Sequence, residues 1–186
     1  MTAIIKDKEN REKNIAALCV ALKDDNIRKE YSYEINYIIM ILGVLNDKKV
    51  ISNIADFMFY DGKTGNNFVN ENKRKGDDIF KLELSERNQC LYELSQFGLD
   101  ALPAVWEKIS KTTPSDRSED GGCAIYMALK ILEWAKIDNG TALKSLEEYR
   151  QSKTFSNDES KALDELAEAV RTRDDSKIKS SKEGNK

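Results

Sequence analysis

Apolar residues recur every three or four positions along most of this chain, the spacing that lines up one stripe on the face of an α-helix. Between residues 9 and 23 the stripe is Ile15, Leu18, Ala21 and Leu22, and "KDDN" at 23–26 closes it. A second helix begins near Ser32. From Glu34 to Asn46 it carries Ile35, Ile38, Ile39, Leu42 and Leu45, broad enough to be buried against two neighbours. Asp47 stands where a third helix needs an N-cap, with Val50, Ile51, Ile54, Phe57 and Met58 along one face until "YDGKTGNN" stops it. The pattern resumes near Ser85 with Cys90, Leu91, Leu94 and Phe97, restarts at Pro103 with Val105, Trp106 and Ile109, and starts again near Cys123. A last amphipathic helix is expected over 157–172, with Leu163, Leu166, Ala167 and Val170 inside and Asn157 or Asp158 near its cap.

Three stretches break the pattern. Residues 61–80 and 110–122 are polar and rich in turn formers, and read as long loops on a single domain spanning 1–172. The segment "GKTG" at 62–65 lacks the first glycine of a phosphate-binding loop, since Phe57 stands five positions before Gly62. Residues 173–186 contain one apolar side chain, Ile178, and are expected to form a disordered tail.

The stretch "ELSQFGLDALPAVWEKI" at 93–109 sets Gly98 and Pro103 inside an otherwise helical pattern. Gly98 suits a left-handed C-cap, and Pro103 suits a helix's first turn, where its missing N–H is no loss. The two residues therefore mark the corner of a helical hairpin. Sliding the chain by 55 residues sets Gly43 on Gly98, Leu42 on Phe97, Ile39 on Leu94, Ile35 on Cys90, Val50 on Val105 and Ile54 on Ile109. Sliding by 37 sets Phe97 on Trp134, Gly98 on Ala135, Leu94 on Ile131, Trp106 on Leu143 and Ile109 on Leu146. On this pattern "LSQFGLDALPAVWEKI" resembles the HEAT repeat, and "IMILGVLNDKKVISNI" resembles it more loosely. The resemblance covers about residues 32–58, 86–110 and 123–150. It implies an all-α protein of about seven helices built as a short α-solenoid of HEAT-like hairpins, in which no unit buries its stripe alone.

Composition agrees with helix. Of 186 residues only 9 are Gly and 2 are Pro, too few for the turns of a β-sandwich. The net charge of -3 is concentrated in residues 81–150, where 12 acidic side chains stand against 9 basic ones. That bias argues against nucleic acid as a partner, because phosphate binding rests on clustered Lys and Arg. The longest apolar run, "IIMILGVL" at 38–45, is far too short to span a bilayer, so no membrane insertion is expected. The charged N-terminal stretch is unlike a secretory signal, which points to the cytoplasm; had a leader been removed, the location would be extracytoplasmic.

Candidate chemistry is sparse. The chain has no histidine, which removes the commonest general base and ordinary zinc sites, and Cys19, Cys90 and Cys123 lack metal-ligand spacing. Neighbouring acids such as Glu147 and Glu148 diverge by about 100° on a helix and do not form a catalytic pair. The expectation is therefore a protein without enzymatic activity, metal or cofactor. HEAT-like DNA glycosylases offer one enzymatic resemblance, through Trp106, Trp134, Tyr126 and the many acids, but the basic track that DNA needs is missing.

What remains is a protein–protein interaction module, an adaptor or scaffold that binds through its helical-repeat surface. In such a solenoid the second helix of each hairpin lines the concave face. Its polar residues are Lys48, Lys49, Asn53 and Asp56 in the first unit, Glu107 and Lys108 in the second, and Lys144, Glu147, Glu148 and Arg150 in the third. The alternative is a bacterial immunity protein that neutralises a basic toxin, for which small size and the acidic bias of 81–150 are suited.

Overall fold

A computed structural model describes residues 2–30, 32–59, 89–113, 123–176 and 178. All regular structure among them is helical. The loop expected at 61–80, and the start of a helix near Ser85, lie outside the described residues, as does most of the loop expected at 110–122.

The N-terminal part comprises α1 (Thr2–Lys6), α2 (Arg11–Lys23) and α3 (Asp25–Glu30). The "KDDN" stop ends α2 and starts α3 in the same stroke, because Asp24 Oδ1 accepts from the backbone N–H of Asn26 at 2.8 Å. A short acidic side chain thus restarts a helix where composition alone suggests a loop. These three helices pack on α4 (Ser32–Leu45). Asp47 caps as expected, accepting from Lys49 N–H at 2.9 Å. The chain makes one tight 3₁₀ turn, Lys48–Val50, before α5 (Ile51–Ala55).

Two further hairpins follow. In the first, α6 (Gln89–Gln96) turns through Gly98 into α7 (Leu102–Ser110). Next come α8 (Cys123–Trp134) and α9 (Asn139–Gln151), and then α10 (Asn157–Thr172) closes the order. Helix α6 lies between α4 and α8, and α7 lies between α5 and α9, so first helices neighbour first helices and second helices neighbour second helices. Helix α10 rests on α7, α8 and α9. One continuous core runs through the elements from Ile15 on α2 to Val170 on α10, with Trp106 fully buried at its middle.

Each hairpin corner uses a left-handed residue. Gly98 has φ 57°, as the sequence predicts, and the other two corners are made by Asn46 at φ 50° and Lys136 at φ 54°. At Lys136 the backbone closes a Schellman turn: Ile137 N–H donates to Leu132 C=O at 2.9 Å and Lys136 N–H to Glu133 C=O at 3.0 Å. The corner of the first hairpin therefore falls three residues after Gly43, which lies inside α4. A glycine that the 55-residue alignment matched to a corner serves another purpose, described below.

Helix α10 spans the expected 157–172, but its cap is Ser156 and not Asn157 or Asp158. Ser156 caps it in a full capping box: its hydroxyl accepts from Glu159 N–H and Glu159 Oε2 accepts from Ser156 N–H. The reach of these hydrogen bonds holds Glu159's carboxyl below its usual range.

The described residues also continue past Thr172 to Ser176. Arg173 donates from Nη2 to Ile137 C=O at 2.6 Å and from Nε to Asn139 Oδ1 at 2.9 Å, and Asp175 Oδ2 accepts from Asn139 N–H at 2.9 Å. The first residues of the expected tail thus strap α10 to the corner that precedes α9. Arg173 Nη1 is buried with no hydrogen-bond partner among the described residues, and burial pulls the guanidinium below its usual pKa.

Among the described residues no helix is long and apolar enough to cross a membrane, and no group of three or more Cys, Asp or Glu is placed to hold a metal ion. Cys19 and Cys90 form no disulfide among the described residues. The Cys90 thiol is buried and donates to Ile54 C=O at 3.0 Å, joining α6 to α5, while burial pushes its pKa well up.

Candidate functional site

The row of second helices carries a groove of about 410 Å³. Its apolar floor comes from Ile51 on α5, Pro103 and Ala104 on α7, and the ring of Tyr149 at the end of α9. Polar groups stand around it: Lys48 and Ser52 on one side, Asp100 at the hairpin corner, Glu107 on α7, and Ser152 and Lys153 just past α9. Pro103 belongs to this groove because a proline is tolerated in a helix's first turn, which also leaves its ring facing out.

The charges here are mostly matched within the chain. Lys48 Nζ sits 2.8 Å from Asp100 Oδ2. Glu107 Oε1 accepts from Lys111 Nζ at 2.6 Å, and Lys153 Nζ lies 4.0 Å away on its other side. The Lys111 hydrogen bond holds the Glu107 carboxyl below its usual pKa and raises that of Lys111. Lys153 also stands over two rings, 4.7 Å from the centre of Tyr149 and 5.4 Å from that of Phe155, which themselves pack 5.4 Å apart. The Tyr149 hydroxyl is buried without a hydrogen-bond partner among the described residues. Such an arrangement offers an amphipathic surface with paired charges at its rim.

Of the ten residues singled out from sequence, Lys48 and Glu107 line this groove. Asp56 and Lys108 are joined in an ion pair that ties α5 to α7. Arg150 reaches Asp164 at 2.8 Å, tying α9 to α10. Lys49 stands 3.7 Å from Glu12, both highly exposed. Lys144 and Glu148 pair along the outside of α9 at 3.9 Å, and Glu147 accepts from Gln151 at 3.0 Å. Asn53 is half-buried on α5. Four of the groove's polar residues, Ser52, Asp100, Ser152 and Lys153, were not among the ten; the last three lie in the connections that flank the helices, whereas Ser52 is on α5 itself. Lys153 and Phe155, placed just after a helix that carries Tyr149 in its last turn, are the sequence signal that marks the cation over two rings.

Trp106 is fully buried, with its indole N–H donating to Ser145 Oγ at 3.2 Å. Trp134 is half-buried and meets Tyr92 edge to face at 6.5 Å. Both act in packing between helices. No protein-family model, no curated protein and no solved structure matches this chain.

Proposed function

We propose that this protein is a non-catalytic interaction module: a short HEAT-like α-solenoid that binds a segment of a partner protein along its row of second helices. The observation that carries the reading is the groove itself, which crosses α5, α7 and the end of α9 with an apolar floor and a polar rim. Side-by-side pairing of α6 with α4 and α8, and of α7 with α5 and α9, supports the repeat architecture. Its rim holds two lysines and two acids, so it favours a partner of mixed charge over a strongly basic one.

The test compares capture of proteins from the source organism's lysate by the full chain and by an S52E/P103E variant. Ser52 and Pro103 are both exposed, so the fold should tolerate the change. A protein held stoichiometrically at moderate salt by the parent, lost by the variant and kept by a K144A control supports the reading. Equal capture by parent and variant rejects this face as the binding surface. A single basic effector among the captured proteins would favour the immunity alternative over an adaptor.

A further inference from the structure

A second groove, of about 460 Å³, lies on the other row, between α4 and α6. Along α4 its rim is Met40 and Val44, and Tyr37 continues the strip one turn earlier, at the spacing that keeps residues on one helix face. Tyr92 faces them from α6. Three of these side chains are more than half exposed: Tyr37 at 62%, Val44 at 53% and Tyr92 at 51%. A neighbouring set of large apolar groups left in water is the mark of a surface that something else covers.

The floor of this groove is charged. Glu93 is 3% exposed, although it is ionisable, and it shares the groove with Met40, Val44 and Tyr92 and with the neutral Gln89 and Gln96. Its Oε1 accepts from Gln89 Nε2 at 2.6 Å. The rest of the carboxylate lies directly on Gly43, where an added Cβ would stand 1.9 Å from Oε2 and 2.4 Å from Cδ. The glycine inside α4 is therefore the cradle of this side chain. Burial raises the Glu93 pKa, with the Gln89 bond working against it, and among the described residues no cation contributes. The other groove residues from α4 and α6 (Met40, Val44, Gln89, Tyr92 and Gln96) carry no formal charge near neutrality. A carboxylate held in this way loses hydration and gains one neutral donor, which is a poor exchange unless a cation completes it.

We propose that the groove between α4 and α6 docks a partner segment that brings one arginine flanked by apolar residues. The guanidinium reaches Glu93 beside Tyr92, and the flanking residues cover Tyr37, Met40 and Val44. Charge complementarity selects this occupant: the floor is anionic and the rim apolar, and a guanidinium on an aliphatic stem matches both. The site is separate from the groove on the second helices, so either can fail while the other stands.

The probe is n-butylguanidinium, titrated into the full chain and followed by the amide resonances of Gly43, Val44 and Glu93, with n-pentanol as a neutral probe of similar length. Saturable shifts at these residues with the guanidinium, absent with the alcohol, are expected. Glu93→Gln should weaken binding by more than about tenfold, the scale of losing one member of a buried charge pair. Val44→Lys, on the exposed rim, should place an internal cation near Glu93 and block the probe without lowering the melting temperature. Equal shifts with the alcohol, unchanged binding in E93Q and V44K, or no saturable shift at all would each overturn the proposal.

Discussion

At Gly43 an added Cβ would overlap the Glu93 carboxylate, whereas at Gly98, with φ 57°, nothing lies within 4 Å of one. The first glycine answers to a neighbour and the second to its own backbone. Gly43→Ala should therefore cost about 1–3 kcal/mol in urea denaturation, the usual range for overpacking. In an E93A background, which removes the three nearest atoms, the same change should be neutral or stabilising by about 0.5–1 kcal/mol, as alanine favours helix. Equal losses in both backgrounds would refute the cradle. Gly98→Ala should cost about 1–2 kcal/mol in any background, since its strain is local.

Glu93 also carries a pH signature. Its folded pKa is raised above that of the unfolded chain, so the group favours folding when protonated. The stabilising contribution is complete below the unfolded carboxylate value and is lost as pH rises through the folded one. Thermal melts of wild type and E93Q should accordingly differ most at neutral pH, with E93Q higher, and converge on acidification. A constant gap across that range would show that Glu93 ionisation is not coupled to folding.

At the scale of elements, the helix ends are settled by short side chains acting over three residues. The capping box of α10 rests on Ser156, and Ser156→Ala should lower stability by about 1 kcal/mol, read from a denaturation midpoint at unchanged slope. An unchanged midpoint would mean that the α10 cap adds nothing to the packing of that helix. This cap was nearly legible: Ser-x-x-Glu at 156–159 is the pattern of a capping box, and the expectation at Asn157 or Asp158 missed it by one or two positions. The corners were legible only where glycine makes them. Asn46 and Lys136 take the same left-handed conformation, and a lysine gives no sign of it in a sequence. The 37-residue and 55-residue alignments therefore found the buried stripes correctly but tied Gly43 to a corner that Asn46 makes.

For the whole molecule, the number of neighbours packed against each element sets how firmly it is held. Helices α6 and α7 have neighbours on both sides and contribute the fully buried Leu91, Leu94, Leu102 and Trp106. The short α1 and α3 lie at the N-terminal end. Hydrogen exchange followed by mass spectrometry should show α6 and α7 protected longest and α1 and α3 exchanging first. Uniform protection would argue against a stack whose strength is carried by its middle.

The sequence by itself determined that the regular structure of the described residues is helical, where most helices run, and most of the apolar side chains that are buried. Those properties follow from a local period and from short-range caps, both written in neighbouring residues. It placed ten candidate residues on the second helices, of which Lys48 and Glu107 line one groove. Only the tertiary structure decided that Asp56 pairs with Lys108 across 52 positions, that Arg173 returns to the corner before α9, and that a buried acid on α6 rests on a glycine of α4. Each of these depends on how closely two helices approach and at what rotation. That distance is set by the packing of the whole core, and no local pattern carries it.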